Sequence, residues 1–149
     1  MAVRLQTEPF DTGAEIARLT AGRVDAGAVV TFTGLCRADG ETGTISAMTL
    51  EHFPGMAEEE LGRLEAEARE RWPLLDCLVV HRYGRLVPGD PIVLVVTLST
   101  HRAAAFEAAN FLMDYLKTSA PLWKKEEGSR GALWVDAKAP DDEARDRWR

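Results

Sequence analysis

The amines of this chain all lie late in the sequence. Its lysines are Lys117, Lys124, Lys125 and Lys138, within a total of 18 Lys+Arg, so arginine carries nearly every other positive charge. The two cations differ chemically. Arginine stays charged and forks onto oxyanions, whereas lysine can give up its proton and act as a nucleophile or base. Such a bias either keeps lysine where an amine is needed or reflects a basic edge on an acidic protein. Lys117 and Lys124 bracket Pro121, so the chain turns between them and the two amines can face one cleft. In the extended segment that follows, Trp123 alternates with Lys124, which puts an aromatic wall on one side and an amine on the other.

His101 and Arg102 stand where a strand gives way to a helix, next to the cap residues Ser99 and Thr100. Free backbone N–H groups and the positive end of the helix dipole meet at such a point. An imidazole and a guanidinium added there make a phosphate pocket, or else a capped helix start with a surface arginine. Lys117 lies about 15 residues further along the same helix, roughly 22 Å away at ~1.5 Å per residue. The helix of one chain therefore cannot bring Arg102 and Lys117 to one small ligand. Either they serve different sites or a second subunit closes the distance. Lys117 also has a bland alternative, an ion pair with Asp114 on an exposed stripe. Arg37 ends the first strong strand at a glycine-rich loop, as an oxyanion clamp or a plain surface arginine.

His52, His81 and His101 share no metal-ligand spacing, and no HxH or HExxH motif occurs, so no metal site is expected. Two cysteines make no disulfide framework. Cys77 reads as a buried strand residue, while Cys36, before Arg37, reads as exposed. Trp72, Trp134 and Trp148 read as packing residues.

These groups need a scaffold, and 149 residues suit one domain, 1–149, with a real core. The net charge of −6 argues against nucleic acid as the main partner. No apolar run approaches the ~20 residues of a membrane span. The stretch Met1–Glu8 lacks the apolar core of a signal peptide, so a cytoplasmic protein is expected. Patterning predicts strands at Val3–Thr7, Gly27–Gly34, Thr44–His52, Leu75–His81, Pro91–Ser99, Leu122–Glu127 and Leu133–Ala137. The strand at Thr44–His52 is expected to pair antiparallel with Gly27–Gly34 across a loop at Arg37–Gly43. Helices are predicted from Asp11 to Leu19, from Met56 to Trp72, from Thr100 to about Ser119, and at the C-terminal end. In the third of these, Phe106, Ala109, Phe111, Leu112, Met113 and Leu116 make most sides apolar and buried. The class is α+β, a mainly antiparallel sheet with flanking helices. No glycine-rich phosphate loop follows a strand.

The ordered motifs resemble the large, catalytic subunit of molybdopterin synthase. They are Gly27-Ala28-Val29-Val30-Thr31-Phe32-Thr33-Gly34 with Arg37, Thr49-Leu50-Glu51-His52 with Pro54-Gly55-Met56, Arg71-Trp72-Pro73, and His81-Arg82 with Gly84. Pro88-Gly89-Asp90, His101-Arg102 with Ala105-Phe106-Glu107-Ala108, Met113-Asp114-Tyr115-Leu116-Lys117-Thr118, and Pro121 with Trp123-Lys124 complete the set. The resemblance implies an α/β-hammerhead-like fold and a sulfurtransferase that acts in molybdenum cofactor synthesis without a cofactor of its own. Its substrate would be cyclic pyranopterin monophosphate, converted to the molybdopterin dithiolene. The two sulfurs would come from the C-terminal Gly-Gly thiocarboxylate of a small ubiquitin-like subunit, and two large subunits would form a central dimer with a small one on each side.

By motif, Lys117 and Lys124 match the family's essential lysines. Arg37, His101 and Arg102 match its anion-binding residues, and Phe32 and Met113 match lining positions. Lys138 falls where an arginine contributed across the dimer is expected, which keeps the charge and loses the fork. Two competing readings remain. One is a non-enzymatic dimeric module whose basic cleft binds a peptide C-terminus. The other is a phosphate-ester enzyme that uses His101 as acid–base.

Overall fold

The computed structural model describes residues 2–40, 43–118, 121–128, 131–135 and 139–149. Lys138 and Ser119 lie outside them. The elements run β1 (Ala2–Gln6), α1 (Thr12–Thr20), β2 (Ala28–Leu35), β3 (Asp39–Gly40), β4 (Gly43–His52), α2 (Met56–Arg71) and β5 (Leu74–Arg82). They continue with β6 (Gly84–Leu86), β7 (Pro91–Ser99), α3 (Arg102–Thr118), β8 (Leu122–Gly128), β9 (Gly131–Val135) and α4 (Ala139–Asp146). The α+β class read from the sequence holds. The first three helices start and stop within a residue or two of their signals. Asp11, for example, caps α1 by accepting the Ala14 N–H at 3.0 Å.

Four strands form the larger sheet in the order β1-β5-β7-β2, antiparallel except for the parallel pair β1 and β5. Its centre is apolar on both faces because β5 and β7 are buried on both faces. On one face Leu78, Val80, Leu94, Val96 and Leu98 pack with Leu19 of α1. On the other, Cys77, Val79, Val93 and Val95 pack with Leu61, Leu64 and Ala68 of α2 and with Phe111, Leu112 and Leu116 of α3. Period-two alternation along β5 and β7 decides which face each side chain takes. Aromatic packing fixes α3 in place. Phe111 sits among Trp72, Tyr115 and Trp148 with ring centroids 4.8–5.7 Å apart. The indole N–H of Trp72 donates to Glu107 at 2.7 Å, and that of Trp148 to Asp114 at 2.5 Å.

The second sheet corrects the expected pairing. β4 does not pair with β2. It pairs with β3, β6 and β8, and β8 with β9. The segment expected to be only a loop contains β3, which forms a tight hairpin with β4 (Asp39 opposite Thr44, Gly40 opposite Gly43). The backbone leaving β2 is spent elsewhere. The Cys36 N–H donates to the Asp90 carbonyl at 2.8 Å and the Gly89 N–H to the Cys36 carbonyl at 2.7 Å. These bonds carry the end of β2 to the turn before β7, so β2 pairs with β7 along its length. β6 has no counterpart in the sequence reading. Gly84, at φ +89°, turns the chain out of β5 and into this short strand against β4.

Three expectations about exposure also fail. Cys36 is buried with Ile45, Met48, Leu50 and Leu86 between the two sheets. Phe106 is 61% exposed, because it lies four residues from both Arg102 and Asn110 on the outer face of α3. Trp134 is exposed too, whereas Trp72 and Trp148 pack as expected.

Candidate active site

α3 connects two groups of polar side chains. At its start His101 and Arg102 are exposed, and the His101 N–H reaches Ser99 Oγ at 3.4 Å. Ser99 Oγ itself donates to the Pro73 carbonyl, so the turn is tied to the end of α2. Ser99, rather than Thr100, thus serves the helix entry. Phe32 and Met113 stand further along, away from this entry turn. Phe32 stands opposite Val95, on the face that carries α3, and is 40% exposed at the sheet edge, while Met113 is half-buried against the α3 core.

At the other end stands Lys117, exposed in the last turn of α3. Lys124 lies on β8 opposite Leu50, and His52 lies opposite Leu122. Residues that face each other across a ladder share a side of the sheet. His52, Lys124 and Glu126 are therefore on the inner side with Met48 and Leu50, and Trp123 is on the outer side, as the alternation predicts. Lys124 Nζ is 3.6 Å from the carboxylate of Glu126, which is only 2% exposed. Gly40 is what allows that carboxylate to lie there. A methyl on Gly40 would sit 2.6 Å from its Cδ. Arg37 is exposed one residue beyond Cys36. Burial pushes the Cys36 thiol up, the Asp90 and Glu126 carboxylates add to that, and Lys124 opposes it. Cys36, Lys124 and Glu126 thus act on one another where β2 leaves the large sheet, and Arg37 is the next residue of the chain. The thiol of Cys77, deep under α2, is pushed up to about 12 by burial.

His81 belongs to the same end of the molecule, and the sequence reading gave it no role beyond the metal question. It is buried at the end of β5, with Nδ1 2.8 Å from the Arg82 carbonyl. Burial pulls its imidazole down to about 4. The Arg82 carbonyl opposes that shift, and the charges of Lys117 and His52 add to it. The His52 ring in turn lies tilted against Tyr83, with centroids 4.3 Å apart, and stands 3.7 Å from Glu58. Glu58 also accepts the Gly55 N–H at the start of α2. Neither His81 nor Glu126 shows a motif signal by itself. The parity of His81 with Cys77 and Val79 on β5, and of Glu126 with Lys124 on β8, is the signal that finds them.

Lys124 lies within electrostatic reach of Cys36, the chain neighbour of Arg37, and Lys117 and His52 lie within electrostatic reach of His81. The structure keeps His101 and Arg102 at the far end of an unbroken helix, as the length argument requires. Among the described residues no cluster of three or more His, Cys, Asp or Glu has a metal-binding arrangement. No described helix is long and apolar enough to cross a membrane. An open depression of about 300 Å³ lies where β4 ends beside β8, lined by Glu51, His52, Phe53, Trp123 and Trp134. None of the sequence-predicted site residues that the structure describes lines it.

An α+β scaffold with two lysines at one end of a buried helix and an arginine–histidine pair at the other defines a class, an enzyme for small anionic substrates. Comparison with known proteins narrows it. The family model described as "MoaE protein" matches residues 5–119. The molybdopterin synthase catalytic subunit of Mesorhizobium japonicum is 61% identical over 150 aligned positions, covering 99% of this chain and 92% of its own length. Among solved structures, the molybdopterin biosynthesis MoaE protein from Burkholderia ambifaria superposes with a TM-score of 0.83 at 48% identity, covering 99% and 98% of the two chains. The molybdopterin synthase from Staphylococcus aureus gives 0.80 at 32% identity, over 89% and 95%. The chain belongs to the MoaE family of molybdopterin synthase catalytic subunits.

Proposed function

We propose that Lys117 and Lys124 are the amines with which this chain, a sulfurtransferase of molybdenum cofactor synthesis, transfers sulfur to cyclic pyranopterin monophosphate. Two transfers build the molybdopterin dithiolene. The donor is the C-terminal thiocarboxylate of a small ubiquitin-like subunit, supplied in trans in the cytoplasm. What supports the reading is that the family's two lysine motifs flank the short connection from α3 to β8. There Lys117 ends the helix, and Lys124 turns inward on β8 beside a buried carboxylate.

Each residue has a role its chemistry suits. Arg37, His101 and Arg102, with Lys138, hold the substrate phosphate and the oxyanions that develop during transfer. Lys117 polarises the thiocarboxylate as sulfur attacks the pterin side chain, and Lys124 with Lys117 moves protons. Glu126 keeps Lys124 extended toward the cleft. Phe32 and Met113 supply apolar lining. The span of ~22 Å between Arg102 and Lys117 supports a central dimer of large subunits, in which the phosphate end of one chain completes the amine end of the other. The free cysteines carry no sulfur, since both are buried and burial holds both thiols protonated.

The test combines the purified chain, a thiocarboxylated small subunit and cyclic pyranopterin monophosphate, with molybdopterin assayed through its fluorescent oxidation product. Product from the wild type and none from Lys117→Ala, with the small subunit still bound, is the expected result. A stable complex of wild type and small subunit that yields no product would favour a peptide-binding module instead.

A further inference from the structure

The last residue of β2 to pair with β7 is Leu35, opposite Pro91, and the register shifts just before it. Proline has no N–H to donate, so the ladder does not run on from there. Cys36, the next residue, finds its partners in the turn that precedes Pro91. Its N–H donates to the Asp90 carbonyl at 2.8 Å, and its carbonyl accepts the Gly89 N–H at 2.7 Å. Two residues later the Ala38 carbonyl accepts the Ile45 N–H of β4 at 2.7 Å. Cys36 is thus fastened to the turn that leads into the large sheet, and Ala38 to the small sheet. Arg37, exposed, is the single residue between the two fastenings.

The turn is built to present those two groups. Pro88 and Gly89 occupy its centre, with Gly89 at φ +96°, and the Asp90 N–H returns to the Val87 carbonyl at 3.0 Å. Proline followed by a residue of positive φ is the order of a type II turn. The side chain of Asp90, itself half-buried, adds a second closure, because its Oδ2 accepts the Val87 N–H at 2.9 Å. Val87 and Asp90 therefore exchange two hydrogen bonds, one through the backbone and one through the carboxylate. Without the carboxylate the turn is one bond short, and the Asp90 carbonyl and Gly89 N–H rock with it. What those two groups hold is the backbone from which Arg37 projects. A guanidinium recognises an oxyanion through a planar fork, and a displacement of about 1 Å spoils that geometry. An exposed arginine has such precision only if its backbone is fixed.

We propose that Asp90 is a positioning residue for sulfur transfer. By closing the Val87–Asp90 turn with its carboxylate, it fixes the backbone of Cys36, and so the place of the Arg37 guanidinium relative to Lys124 on the small sheet. The inference rests on the reading of Arg37 as an oxyanion clamp.

A double-mutant cycle separates positioning from mere stability. kcat/KM for cyclic pyranopterin monophosphate is measured with the thiocarboxylated small subunit for wild type, Arg37→Ala, Asp90→Ala and the double variant. Each single substitution should lower it by about ten-fold. The double variant should match Arg37→Ala within about two-fold, because a guanidinium that is absent cannot be misplaced. Asp90→Asn, whose amide oxygen still accepts the Val87 N–H, should restore most of the loss. Losses that multiply to about a hundred-fold in the double variant would overturn the proposal, since an effect unrelated to Arg37 is independent of it. So would Asp90→Asn no better than Asp90→Ala, or Asp90→Ala at wild-type kcat/KM.

Should Asp90→Ala fail to fold, Pro88→Ala loosens the same turn and removes no hydrogen bond. The Cys36 amide should then exchange faster with solvent, and kcat/KM should fall by about three-fold with Arg37 present and not at all with Ala in its place. Faster exchange with kcat/KM unchanged, or an equal fall in both backgrounds, would cut the link. Arg37→Ala run alone keeps the two failures apart. If it lowers kcat/KM while the Asp90 variants match wild type, only the positioning inference falls. If it is as active as wild type, the reading of Arg37 as a clamp falls and the inference with it.

Discussion

The two ends of α3 solve opposite problems on one helix. The N-terminal end, His101 and Arg102, is exposed and held by hydrogen bonds of the entry turn. The C-terminal end carries Lys117 within electrostatic reach of the buried His81, and the strand that follows pairs Lys124 with a buried glutamate. An oxyanion clamp works from an open surface, because guanidinium and backbone N–H groups are charged or polar whatever surrounds them. Moving protons through an amine needs surroundings that fix its position and charge, and those are buried acceptors and carboxylates. The difference predicts that the first end governs substrate capture and the second governs turnover.

The largest test is at the turnover end. Lys117→Ala should lower kcat by ~100-fold to ~10,000-fold and leave the melting temperature nearly unchanged, because the side chain is exposed. A variant that raised KM with kcat intact would place Lys117 in capture and dissolve the contrast.

The next effect is on stability and belongs to the same end. His81 is held neutral in the fold at about 4, against 6.5 for a free imidazole. Below pH 6.5 the unfolded chain binds a proton that the folded chain refuses, so stability is complete above 6.5 and falls as the pH drops toward 4. The loss is on the order of 3 kcal/mol across that window. Urea melts of wild type at pH 7 and pH 4.5, repeated with His81→Asn, check it, and the variant should lose much of the slope. An equal slope in both would trace the acid sensitivity to carboxylates.

Gly40→Ala comes third. The added methyl would meet the carboxylate of Glu126 in a buried place, so the carboxylate must move. We expect a loss of about 1–3 kcal/mol, read from the denaturation midpoint, with turnover falling as Lys124 loses its partner. An unchanged turnover would show that Lys124 needs no fixed carboxylate. At the capture end Arg102→Ala should raise KM by roughly ten-fold, the scale of one charge-assisted hydrogen bond, with kcat within about two-fold. A matching fall in kcat would merge the two ends into one function.

How much of this was legible follows from how local each signal is. Helices were readable because Asp11 as a cap, Pro73 and Pro121 as stops, and the 3.6-residue period all act within a turn or two. The length of α3, and with it the separation of Arg102 from Lys117, needed only counting. Strand existence was readable for β2, β5 and β7, but strand partnership was not. The choice of β7 over β4 as the partner of β2 rests on Cys36 meeting Gly89 and Asp90, more than 50 positions away. The site divides in the same way. Lys117, Lys124, Arg37, His101 and Arg102 stood out by type and motif. His81 and Glu126 did not, because a histidine or glutamate in a strand means nothing until its side of the sheet and its neighbour across the ladder are known. The exposure of Phe106 was misjudged because a nearly all-apolar helix hides which stripe faces out.

The smallest expected effect concerns Cys36, which adjoins Arg37 and lies within electrostatic reach of Lys124. Its position invites a role as sulfur carrier, yet burial and two carboxylates keep its thiol protonated, and a thiol is a poor nucleophile compared with a thiolate. Its packing against Met48, Leu50 and Leu86 instead makes it a small apolar spacer between the sheets. Cys36→Ser should therefore cost about 1 kcal/mol in stability, from burying a hydroxyl among aliphatic side chains. It should leave turnover within about two-fold, since no step of the transfer uses it. Abolished turnover in a variant that still folds and binds the small subunit would reroute the sulfur through this residue. The two ends of α3 would then no longer be the whole of the chemistry, because a third group, between Arg37 and Lys124, would carry the sulfur.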